Sequence, residues 1–152
     1  MIEGIVCQEL TTHRDERGFF REIVRSSDDL FTEGFGQWSH SLMFNGVIKA
    51  WHFHRIQTDW WYVVTGVLRV GLCDMRPTSP TFKQTMDFLM GDFQPSRLLK
   101  IPPGVAHGCK TIQSPVNLMY VTSHTYDTDD EIRIPFNDPD IEFDWLRGPA
   151  IT

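Results

Sequence analysis

The sequence predicts an all-β fold, a small sandwich or barrel, and three observations carry that prediction. Apolar and aromatic residues come in short runs of strand length. Eleven glycines and nine prolines punctuate 152 residues, too often for long helices. Turn signals such as Asn45-Gly46 and Pro103-Gly104 fall between the runs. A chain of this length fits one domain and can bury a core.

The elements follow in order. Residues 2–10 form an apolar start. The turn Asp15-Glu-Arg-Gly18 leads into a strand over 19–25, rich in β-formers. Ser26 reads as the cap of a short helix over 26–31. Strands over 39–44 and 47–54 are split by Asn45-Gly46, which predicts a hairpin. Strands over 60–65 and 67–74 form a second pair around Gly66. Further strands are expected over 82–87, over 98–101 leading into Pro102-Pro-Gly104, and over 116–124. The tail 138–145 mixes acids with aromatics and is expected to pack on the outside. Barrel mouths commonly hold small ligands.

Composition excludes several function classes. A net charge of −6 argues against a general nucleic-acid surface. No uncharged apolar run reaches membrane-spanning length, so no membrane role is expected. The start Met1-Ile-Glu-Gly4 lacks the basic region and apolar core of a signal peptide. Cys7, Cys73 and Cys109 lack the spacing of a disulfide framework or metal cluster. Reduced thiols and a cytoplasmic location are the expectation.

Chemistry concentrates in two motifs. The first is Gly46-x5-His52-x-His54-x4-Asp59-x6-Gly66 and the second Pro102-x-Gly104-x2-His107. Residues two apart on a strand share a face, so His52 and His54 project together. Two imidazoles on one face suit either a metal ion or a substrate to be deprotonated. The paired motifs resemble those of the cupin superfamily, a double-stranded β-helix (jelly-roll) barrel with few short helices. Cupins usually carry Glu where this chain has Asp59.

Over nearly the whole chain the sequence also resembles the dTDP-4-dehydrorhamnose 3,5-epimerase family, cupins acting on nucleotide-linked 4-keto-6-deoxysugars. The stretches Asp15-Glu-Arg-Gly-Phe-Phe-Arg-Glu22, Gln37-Trp-Ser-His-Ser41, Gly46-Val-Ile-Lys-Ala-Trp-His52, Asp74-Met-Arg76, Ile101-Pro-Pro-Gly-Val-Ala-His-Gly108, Tyr120 and Asn137-Asp-Pro-Asp140 carry it. The resemblance implies one cupin domain over 1–152, with N-terminal strands exchanged in a homodimer. It implies epimerisation at C3, or C3 and C5, in deoxysugar and surface polysaccharide (O-antigen or lipopolysaccharide) biosynthesis, without an organic cofactor. His52 falls on the catalytic base and Tyr120 on the proton donor. Arg17, Glu22, Gln37, Lys49, His107 and Glu131 fall on positions around the nucleotide-diphospho-sugar. The 4-keto group acidifies the C3 and C5 hydrogens; a base removes one, an enolate forms, and an acid returns a proton to the opposite face.

The chain departs from the family at four places. His54 replaces a Gln. Asp59 replaces a lysine that stabilises the enolate. Lys49 replaces an Arg, keeping charge but losing the bidentate fork. The segment Gly148-Pro-Ala-Ile-Thr152 lacks the family's C-terminal Lys-Asp pair, whose Asp orients the base; Asp59 or Asp74 is a candidate replacement. Exchanging lysine for Asp removes about two units of positive charge from the pocket. A divalent ion held by His52, His54, Asp59 and His107 would restore it, and Zn, Mn, Fe and Ni all suit such ligands.

Alternatives stay open from sequence. The chemistry could instead be a 3,4-ketoisomerisation, a metal-dependent cupin reaction, or sugar binding without turnover. His54 also reads as solvent-facing, Asp59 as an exposed strand end, Arg17 and Glu22 as a surface pair, and Glu131 as part of a solvated acidic loop. Trp51, Trp60, Trp61 and Tyr62 read as core or interface.

Overall fold

The computed structural model describes residues 1–147; the expectation attached to 148–152 lies outside the described residues. Ten strands form, and among the described residues there is no helix. They are β1 (Val6–Glu9), β2 (His13–Asp15), β3 (Gly18–Phe20), β4 (Gln37–Met43), β5 (Ile48–His54), β6 (Asp59–Asp74), β7 (Thr85–Gly91), β8 (Arg97–Ile101), β9 (Val105–Thr122) and β10 (Glu131–Arg133). Eight are joined in one antiparallel network built on β6 and β9, and β2 pairs only with β3.

The two long strands organise everything. β6 runs for 16 residues and β9 for 18, paired along most of their length. Register slips between Val63 and Leu68 fold this ribbon into two halves. In one half, β6 meets β8 and β9 meets β4. In the other, β6 meets β7 and β9 meets β5. The result is two facing sheets around one core, a jelly roll. Trp61 and Val63 from the first half of β6 pack with Leu68, Val70 and Leu72 from the second. The inward parity changes from odd to even across the slip, as a bulge requires. Gly66 sits there at φ +79°, and a Cβ on it would lie 2.4 Å from the Pro115 carbonyl oxygen.

Several local expectations are corrected by this topology. The strands predicted on either side of Gly66 are one continuous strand, because β9 bridges both halves. Asn45-Gly46 makes a turn, with Gly46 at φ +76°. However, β4 and β5 do not pair with each other; they join opposite ends of β9 and so carry the chain from one sheet to the other. The helix expected over 26–31 is a pair of turns, Asp28 N–H to Arg25 O and Phe31 N–H to Asp28 O. Of the expected strand 19–25, only Phe19 and Phe20 are in a strand, β3.

Two outer layers hold the sheets. Leu30 and Phe31 cover Trp60, whose indole N–H donates to the Leu30 carbonyl at 2.9 Å. The tail packs outside, as expected, but is anchored: Trp145 is 1% exposed and stacks with Phe143 on Trp51. Gly71 leaves the room for it, since a Cβ there would lie 2.6 Å from the Trp145 ring.

β1 pairs with β8 of the same chain. The β2–β3 hairpin, by contrast, stands out from the body with Phe19 and Phe20 exposed.

Candidate active site

Strand alternation builds the site. At β6, Asp59, Trp61 and Val63 face inward, while Trp60, Tyr62 and Val64 face the outer side. At β5, Trp51 goes to the outer cluster, and His52 and His54 go inward. β9 sets His107 opposite His52 in register, and its other half sets Tyr120 opposite Trp61. A cavity of about 330 Å³ opens between the sheets, lined by His52, His54, Asp59 and Tyr120 among others.

Four ligand-type side chains converge at its inner end. One donor atom from each of His52, His54, Asp59 and His107 lies within 4.8 Å of the others. His52 and His107 cross edge to face, ring centres 4.1 Å apart. His107 Nδ1 lies 2.9 Å from the Val105 carbonyl, so Nδ1 carries a proton, and in the neutral ring Nε2 holds the lone pair. That Nε2 has no hydrogen-bond partner and lies 3.6 Å from Asp59 Oδ2. Asp59 accepts from the Gln57 amide at 2.8 Å and from the Trp61 indole at 3.2 Å. The same amide nitrogen lies 3.1 Å from His54 Nε2. Behind His54, Asp130 Oδ2 stands 3.3 Å from Nδ1.

Electrostatics follow from burial. Desolvation, reinforced by the His107 imidazole, pushes His52 below its ordinary value, against the pull of Asp59. His54 is lowered as well, again chiefly by burial. Burial thus disfavours the protonated form of both rings. Burial works against ionisation of Asp59, but His107, His54 and Gln57 outweigh it and hold the carboxyl below its usual value. Burial pushes the Cys109 thiol up to about 12, so this cavity-lining cysteine is no nucleophile.

The structure gathers some predicted residues and leaves others outside. His54 and Asp59 are 7% and 3% exposed, which rules out the solvent-facing readings. Gln37, Lys49 and Glu131 line the cavity. Lys49 Nζ donates to Ser41 Oγ at 2.8 Å, and Glu131 is paired with Arg133 at 3.1 Å. Arg17 and Glu22 lie outside the cavity of their own chain: Arg17 pairs with Asp15 on the exposed hairpin, and Glu22 with Arg25. Asp74 is not an orienting carboxylate for His52. It is fully buried and accepts from Arg76 at 2.8 Å and from Ser79 and Thr81 at 2.6 Å each.

Sequence reasoning missed Gln57, Arg133 and Asp130. Asp130, next to Glu131 in the acidic run, is 7% exposed and accepts backbone N–H groups of Arg55, Ile56 and Gln57 at 2.8–3.3 Å. Nothing local marks Gln57; its role comes from lying between His54 and Asp59.

A jelly roll with three histidines and a carboxylate on its inner wall defines a cupin. A larger depression of about 480 Å³ on the outer face is almost wholly apolar and offers no such chemistry. The chain belongs to the dTDP-4-dehydrorhamnose 3,5-epimerase family, whose model matches residues 1–152. It is 44% identical over 148 residues to the spore coat polysaccharide biosynthesis protein SpsL of Bacillus subtilis, covering 95% of this chain and 97% of that one. It is 32% identical over 148 residues to the probable low-salt glycan biosynthesis epimerase Agl13 of Haloferax volcanii, covering 95% and 94%. Among solved structures, a dTDP sugar isomerase from Desulfovibrio desulfuricans superposes with a TM-score of 0.90 at 28% identity, covering 97% and 94%. The 3,5-epimerase of Legionella pneumophila, solved with dTDP-4-keto-L-rhamnose, superposes at 0.88 with 27% identity, covering 99% and 83%. The chain is thus an isomerase of the sugar-epimerase class.

Proposed function

We propose that the enzyme epimerises a nucleotide-linked 4-keto-6-deoxyhexose at C3, or at C3 and C5, in the assembly of a surface polysaccharide. The observation that carries this reading is the pairing of His52 and Tyr120, which line one cavity from facing sheets. His52 takes the proton next to the ketone, and the C–H electron pair moves into the carbonyl to give an enolate. Tyr120 returns a proton from the other side, and both groups re-equilibrate with solvent. The reaction is a pair of proton transfers and needs no organic cofactor. The names of SpsL and Agl13 support a role in glycan assembly, and the ligand of the Legionella enzyme supports the substrate class.

Incubation with dTDP-4-keto-6-deoxyglucose in D2O is expected to place deuterium at C3, or C3 and C5, with the carbonyl still at C4 by NMR. A carbonyl carbon moved to C3 would mean ketoisomerisation instead. No deuterium from any 4-keto nucleotide-sugar would end the epimerase reading.

The working unit in this reading is a homodimer, with Arg17 and Glu22 reaching the partner's cavity. Two features support it. The β2–β3 hairpin exposes Phe19 at 59% and Phe20 at 63%, and the apolar depression carries exposed Phe35 and Trp38. Light scattering should give twice the 17.7 kDa chain mass. Arg17→Ala should raise KM by roughly tenfold through loss of a charge-assisted contact to diphosphate, with little change in stability. A monomer whose KM ignores Arg17 would refute this arrangement.

A further inference from the structure

We infer that His54, Asp59 and His107 hold a divalent transition-metal ion at the inner end of the cavity, with His52 beside it facing the substrate. Two imidazoles and one carboxylate, whose donor atoms lie with one of His52 within 4.8 Å of one another, are a donor set of such ions. The 3.6 Å from His107 Nε2 to Asp59 Oδ2 is close to the ~3.4 Å between tetrahedral ligands placed 2.0–2.2 Å from zinc.

The independent observation is His107 itself. It is 2% exposed, and its Nε2 has no hydrogen-bond partner. With Nδ1 committed to the Val105 carbonyl, that lone pair points toward a carboxylate. Two electron-rich groups buried this close repel unless something positive lies between them. His54 is prepared in the same way. Asp130 Oδ2 stands 3.3 Å from its Nδ1, a carboxylate behind the ring that favours a proton on Nδ1 and a lone pair on Nε2, although the two atoms are not hydrogen-bonded.

Two other occupants compete. The Gln57 amide bridges His54 Nε2 and Asp59 Oδ1, but leaves His107 Nε2 unanswered. A proton on that Nε2 would face a carboxylate 3.6 Å away, beyond hydrogen-bond length. An ion satisfies all three donors at once. His52 differs from the others in being only half-buried and lining the neighbouring outer cleft as well. On the epimerase reading, the ion supplies the positive charge that an enolate needs. Of the cavity-lining cations, Arg133 is paired with Glu131, and Lys49, which donates to the neutral Ser41 hydroxyl, keeps its charge. The site itself does not depend on that reading.

The test uses metal alone. Chelator-stripped full-length protein is titrated with Zn2+, Mn2+ and Co2+ by calorimetry, and Co2+ is also followed by visible absorption. One ion per chain is expected, with visible bands from nitrogen ligation and a rise in the midpoint of thermal unfolding. Asp59→Asn and His107→Gln should each weaken binding by roughly 100-fold or more. His52→Asn should retain binding within about tenfold. Near-UV circular dichroism identifies a variant that has lost its fold, and the wild-type titration stands without the variants. No stoichiometric uptake by the wild type overturns the site; so does uptake indifferent to both Asp59 and His107. Loss of binding in His52→Asn overturns the three-ligand assignment. Deuterium exchange into substrate reports the epimerase reading separately, so the two can fail independently.

Discussion

His52→Asn should lower turnover by roughly 10²–10⁴-fold, the usual contribution of a positioned general base. Asparagine keeps a polar group of similar length but has no lone pair basic enough to take a C–H proton. The ring it replaces is neutral, so the change removes no ion pair. Lost packing against His107, 4.1 Å away between ring centres, should cost about 1 kcal/mol or less. The expected signature is a normal thermal midpoint, a KM within a few fold, and deuterium wash-in from D2O that falls as steeply as turnover. A variant that still exchanges the substrate proton at the wild-type rate would show that His52 is not the base.

Tyr120→Phe should separate the two halves of the reaction. The substitution removes a single oxygen from a partly buried side chain between Ser39 and Trp61 in register. The base remains, so the enolate still forms and can be reprotonated from the same side. Substrate should exchange its proton with retention, while inverted product falls by roughly 10²–10⁴-fold. Monitoring exchange and inversion on one sample gives their ratio directly. Inversion at the wild-type rate would remove Tyr120 from the mechanism.

That His52 and Tyr120 line one cavity agrees with the family resemblance, which falls on both positions; strand periodicity by itself pointed only to His52 and His54. Much of the strand pattern was legible too, since apolar runs and turn residues act locally. The strands over 98–101 and 47–54 appear nearly where expected, as β8 and β5. The Asn45-Gly46 turn forms as well, but its flanking strands separate. A turn dictates a change of direction, whereas the pairing partner is chosen by a strand 55 residues or more away in sequence. The same cause hid the continuity of β6 through Gly66.

The tail illustrates a different limit. An acid-rich, aromatic segment reads as a surface from composition, and Glu142 and Asp144 bear that out. Trp145 nevertheless goes under, because Gly71 leaves a socket on the sheet that no local pattern announces. The acidic run around Glu131 meets the same limit. Three neighbouring acids look like a solvated loop, yet one of them turns inward to accept three backbone N–H groups and to face His54.

By itself, the sequence determined that the chain is all-β, that His52 and His54 share a face, and that an acid and a third histidine follow at cupin spacing. Those properties depend on periodicity two and on nearby turn residues, which interact within a few positions along the chain. Only the tertiary structure decided that His54, Asp59 and His107 are dry and convergent, that Gln57 lies among them, and that Arg17 and Glu22 stay outside. Burial and mutual approach depend on which strand lies across from which, and here the β6–β9 ribbon sets that over nearly the length of both strands.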